Sequence, residues 1–113
     1  MRVQGSVSVA ANGGTSGNVV AGKIIEFVQS RAAQCKFWAA AAATGVTAQI
    51  TSGTDVVLEP GSAVSQANRF PIDPDDLLAR DVAGYGERLA MVFTNPTAGA
   101  ITVYWVVETV PIA

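Results

Sequence analysis

The sequence predicts an all-β protein, an antiparallel β-sandwich or single jelly roll of seven to eight short strands with one short helical turn near residues 73–79. Residues 46–51, VTAQIT, alternate apolar and polar without error, as a half-buried strand does. Turn formers cut the chain at short intervals, in NGGTSGN, SGT, PG and NPTAG. The apolar pieces between them are too short for typical helices and rich in β-branched and aromatic residues.

In chain order, residues 2–10 place Val3, Val7 and Val9 on one parity with Gly5 between them, a first strand weakened in its middle. Residues 12–18 read as a flexible loop, and residues 23–30, KIIEFVQS, as a second strand. The run CKFWAAAAATG is ambiguous, because alanine is the best helix former in host peptides but its propensity is a weak prior. Its neighbours decide for a strand over residues 34–43. A two-residue loop at Thr44 and Gly45 would set Ala43 opposite Val46, Ala41 opposite Ala48 and Ala39 opposite Ile50, on an apolar face continued by Phe37 and Cys35. Trp38, Ala40 and Ala42 then share the other face. A short strand over 55–58 stops at Pro60 and Gly61.

Residues 71–78 carry helix-start marks: Asp73 as N-cap, Pro74 at the first position, and Asp75 and Asp76 against the positive end. Strands over 87–94 and 100–109 flank NPTAG and are expected to form a C-terminal hairpin, apolar on both faces. Domain organisation is read as an N-terminal strand and loop (1–22), a candidate arm toward a neighbouring subunit, followed by the sandwich proper (23–113).

The chain has 113 residues, enough for one core, and only 14% are charged against roughly 25% in typical soluble domains. So few charges point to surface meant for burial against other subunits, although Ser, Thr, Asn and Gln could also cover it. The net charge of −2 and seven scattered basic residues leave no footprint for nucleic acid. No apolar run reaches membrane-helix length, and Arg2 is not followed by the apolar core of a signal peptide. Cys35 is the single cysteine, so no intramolecular disulfide is available.

The sequence contains no histidine, which removes Ser-His-Asp and Cys-His nucleophile systems and most zinc sites. GYG at 84–86 is a fragment of a dinucleotide fingerprint in the wrong context and reads as a turn. Asp73, Asp75 and Asp76 are oxygen donors close in sequence, but no EF-hand pattern surrounds them, and capping accounts for them. Cys35 lacks a base and shares an apolar face with Phe37, as a buried structural thiol does. Glu26, Asp55, Glu59, Asp81, Glu87 and Glu108 could meet in space as acid-base pairs, but nothing in the sequence pairs them. Catalytic, cofactor and metal residues are therefore assigned to none. The candidate subunit or capsid interface is Trp38, Ala40, Ala42, Tyr104 and Trp105, large aromatics and small neighbours on strand faces that a lone sandwich would struggle to bury. The competing expectation is that loops fold over them.

The phrases ATGVTAQITSGTDVV, NRFPIDPDDLL and GERLAMVFTNPTAGAITVYWVV resemble jelly-roll head decoration (cement) proteins of tailed bacteriophages, over residues 35–107. The resemblance is one of pattern and brings no catalytic residues. It implies a non-enzymatic virion protein, made in the host cytoplasm, that binds the major capsid protein, associates with itself, often as a homotrimer, and stabilises the shell. A single-jelly-roll coat protein is the near variant, disfavoured by the lack of a basic N-terminal arm. The alternative from another class is a carbohydrate-binding sandwich stacking sugars on Trp38, Tyr85 or Trp105.

Overall fold

The alternating segment forms β4 (Thr47–Ser52), with Ala48, Ile50 and Ser52 turned into the core and Thr47, Gln49 and Thr51 half-buried on the other side. In the computed structural model, which describes residues 1–73 and 75–112, β4 belongs to one of two packed sheets. Its sheet runs β2 (Gly14–Asn18), β8 (Leu89–Asn95), β4, β5 (Asp55–Ala63). The other runs β1 (Arg2–Val9), β9 (Ile101–Pro111), β3 (Ala32–Ala41), β7 (Leu77–Gly84). The two-residue β6 (Ser65–Gln66) lies parallel to the end of β3, beside Ala40 and Ala41.

This order has a simple origin. β1 pairs with β9, β2 with β8, β3 with β7 and β4 with β5, all antiparallel, as the nested rungs of one long hairpin. Wrapping that hairpin around itself brings β9 beside β3 and β8 beside β4. The result is the strand order of a jelly roll. Phe37, Ile50, Leu89, Met91, Phe93, Val103 and Val107 fill the space between the sheets without solvent exposure. Gly5 lies across from Trp105, where a Cβ would come within 2.8 Å of the indole Cζ2, so the weak centre of β1 is what admits the largest core ring.

The alanine run is a strand, but its partners differ from the expected ones. β3 and β4 lie in different sheets: Ala39 pairs with Trp105 and Ile50 with Met91. The inward parity is as expected, so Ala39, Ala41, Ala48 and Ile50 face a common core instead of sitting side by side. The C-terminal hairpin is corrected in the same way, since β8 and β9 also belong to opposite sheets. Buried Asn95 makes that crossing. Its side-chain amide donates to the carbonyls of Val9 (3.1 Å) and Gly99 (2.7 Å), while Oδ1 accepts from the Thr97 amide and hydroxyl.

Residues 23–30 are not a strand. Turn bonds from Lys23 N to Val20 O and Glu26 N to Lys23 O coil them, Phe27 makes a single bridge to Arg88, and Ile25 and Val28 plug one end of the sandwich. Residues 12–18, expected as loop, contain β2. Its ladder with β8 is broken by a bulge, where the Ser16 hydroxyl accepts from Phe93 N (3.0 Å) and Asn18 Oδ1 accepts from Met91 N (3.1 Å). Side chains thus replace the missing backbone acceptors. Residues 1–22 are built into both sheets. β5 continues past Pro60 and Gly61, which an edge strand tolerates.

Among the described residues no helix forms near 73–79. A bond from Asp76 N to Ile72 O closes one turn, Pro74 lies outside the described residues, and the chain then pairs as β7 against Ala32 to Trp38 of β3. The Asp76 carboxylate, 3% exposed, accepts from Ile72 N and from Arg69, each at 3.0 Å.

Candidate interaction site

Register fixes what the outer face of the β1-β9-β3-β7 sheet presents. Cys35, Phe37, Ala39 and Ala41 point inward, so Gln34, Lys36, Trp38 and Ala40 point out. Across the strands this gives successive rows: Ser6, Tyr104 and Ala40; Gln4, Val106 and Trp38; Arg2, Glu108, Lys36 and Arg80; then Val110, Gln34 and Val82.

In the first two rows the β9 and β3 residues are covered by the chain itself, while Gln4 and Ser6 on β1 stay exposed. Trp38, Ala40 and Val106 are at most 4% exposed yet lie outside the main core, because residues 67–73 together with Asp76 cross over them. The Ala67 amide donates to Ala41 O, the Ala39 amide to Asp76 O and Trp38 Nε1 to Asp73 Oδ1 (3.3 Å). Phe70 meets Tyr104 edge-on at 5.1 Å between centroids, and the Tyr104 hydroxyl donates to Asn68. Arg2 lies 5.6 Å from the Trp38 ring centre, closing the margin toward the charged row.

The expected interface residues therefore do not form a bare face of the single chain. Trp38 and Ala40 lie under this cover, Trp105 is in the core, and Ala42 and Tyr104 are half-buried. Of the three aromatics considered for sugar stacking, only Tyr85 is open to solvent.

Beyond the charged row the face is bare. Val82 is 59% exposed and Val110 44%, with Gln34 between them. Ile112, bonded through its amide to Ala32 O, extends this strip to the end of the sandwich. There Met1, Ile24, Phe27, Val28, Ala33 and Pro111 line an open apolar groove of about 340 Å³. Glu26 buttresses the groove's wall: the Gly22 amide and the Arg88 guanidinium, at 2.9 and 2.7 Å, hold its carboxyl below the usual carboxylate range. A strand over residues 23–30 does not foresee the groove, because it spreads Ile24 and Phe27 along a sheet instead of gathering them at its end. The signal of strip and groove in the sequence is VPI at the chain's end, apolar where β9 runs past its partner β1.

Burial, and secondarily the Asp81 charge across the β3–β7 pair, push the Cys35 thiol up to about 11, away from nucleophilic ionisation. Asp81 and Glu87 both act on Cys35, so the fold brings these two candidate carboxylates toward one end, where Glu87 accepts from the Ser52 hydroxyl (2.9 Å). Glu26 is paired with Arg88, and Asp55 and Glu59 are exposed on β5. Among the described residues no group of three metal-ligating side chains is assembled. Comparison of the chain with protein-family models, curated proteins and solved structures returned no match.

Proposed function

We propose that the protein is a non-enzymatic virion component that binds the outer surface of a bacteriophage capsid and stabilises it, a decoration or cement protein. The observation that carries the assembly role is the exposed apolar surface of this jelly roll, the outer strip of Val82, Val110 and Ile112 and the groove lined by Phe27 and Met1, on a sparsely charged chain. The capsid as partner comes from the resemblance over residues 35–107. The groove is the docking surface of this reading, and the major capsid protein its occupant.

The test is co-sedimentation of the purified chain with phage capsids that lack it, alongside mass spectrometry of virions from the same source. Saturable binding and stoichiometric presence support the reading. Absence from virions, or binding unchanged by Phe27→Glu with Val110→Glu, overturns it.

A further inference from the structure

We propose that β1 is a self-association edge: two copies pair their β1 strands antiparallel about a two-fold axis, joining two sheets into one. The inference is independent of the capsid reading. It rests on which backbone groups β1 leaves free.

Met1 and Thr109 each donate to the other's carbonyl, so they form a hydrogen-bonded pair. Such pairs recur at every second residue of an antiparallel ladder. With the β1–β9 register unbroken from Arg2↔Glu108 to Val9↔Ile101, Val3, Gly5, Val7 and Val9 turn their N–H and C=O groups toward β9. Arg2, Gln4, Ser6 and Ser8 turn theirs outward. All four are exposed, and among the described residues β1 has β9 as its one strand partner.

The other sheet edges carry the usual defences against pairing. β2 has five residues and a bulge. β5 carries Asp55, Glu59 and Pro60 and two register shifts, and β7 carries Arg80, Asp81 and a shift. β1 has no proline, no bulge, and Arg2 at its start as its single charge.

Its sequence also suits its own copy. Joining outward groups requires residues 2, 4, 6 and 8 to face one another, and centring the axis on Gly5 does so over the longest overlap. Arg2 then faces Ser8, Gln4 faces Ser6, and each donates and accepts once across the axis. Val3 faces Val7 on the core side, and the two Arg2 charges lie at opposite ends. No like charges meet.

The experiment is light scattering of the full chain over a micromolar to near-millimolar series, with amide hydrogen exchange. The expected result is a species of twice the chain mass, with the Gln4, Ser6 and Ser8 amides protected in it and exchanging fast on dilution. Ser6→Pro removes one outward donor and leaves the β9 ladder whole, so association weakens by at least about tenfold with an unchanged circular dichroism spectrum. Gln4→Lys with Ser6→Lys sets ammonium groups against each other and gives monomer. Gln4→Glu with Ser6→Lys restores the dimer, now salt-sensitive, because position 4 faces position 6 of the second copy. These two double variants keep the test decisive if Ser6→Pro misfolds. A wild-type monomer at every concentration, an oligomer indifferent to these changes, or a Glu/Lys variant no better than the Lys/Lys one overturns the proposal.

Discussion

One sheet face carries two unlike halves, although the same strands build both. Val106 is fully buried on the half crossed by residues 67–73, whereas Val110, four residues along the same strand and on the same face, is 44% exposed. Strand propensity cannot separate them. The covered half pairs a small residue, Ala40, with an aromatic whose ring nitrogen reaches Asp73, so backbone can lie close and be anchored. The bare half offers Gln34 between two valines, with no comparable anchor. Small residues facing outward on a strand here mark where the chain's own loop lies down.

Buried charge should disturb the covered half and the core alike. Ala41→Asp in the core and Ala40→Arg under the cover should each cost about 3–5 kcal/mol, since both bury an uncompensated charge. Denaturant unfolding measures this, and a folded, stable Ala40→Arg would mean that the cover lifts freely. Trp38→Ala follows at about 3–4 kcal/mol, with new protease cleavage within residues 67–73 as the cover loses its floor. Gly5→Val should cost about 1–3 kcal/mol by driving a side chain into the Trp105 ring, read as a lowered melting temperature.

Cys35, on the inner side of the same strand, gives a pH signature. Its folded pKa is raised from 9.0 to about 11, so the folded state holds a proton that the unfolded chain releases. That contribution is complete below about pH 9 and is lost as pH rises toward 11. Stability should fall across this window, and Cys35→Ala should flatten the fall. The smallest effect belongs to the bare half, where Gln34→Lys should stay within about 0.5 kcal/mol of wild type.

Strand identity was legible where side-chain parity was clear, as in β1 and β4, and where turn formers bounded an apolar run, as in β8 and β9. Neighbours were not. Parity says which way Ala41 and Ala48 face, but two strands lining a core from opposite sheets read the same as two strands side by side. β2 was hidden because Ser16 and Asn18 do the work of backbone acceptors, leaving a glycine-rich, loop-like composition. The helical turn misled because Asp73 and Asp76 are spent on Trp38, Arg69 and Ile72 instead of on a helix terminus. The expected interface shared that fault: periodicity showed Trp38 and Ala40 facing outward, while their cover came from a segment some thirty residues away.

The nested pairing also orders events in time. Ser52 and Asp55 meet across a two-residue turn, whereas Val9 and Ile101 close a loop that contains most of the chain. Loop-closure entropy therefore favours zipping outward from Gly53 and Thr54, and the first and last strands are secured late. Until then the edge of β9 that β1 will occupy stands open. A chain that secures β1 last would leave that place open to the β1 of another molecule, so refolding at high concentration should favour strand exchange and slow dilution the self-contained fold.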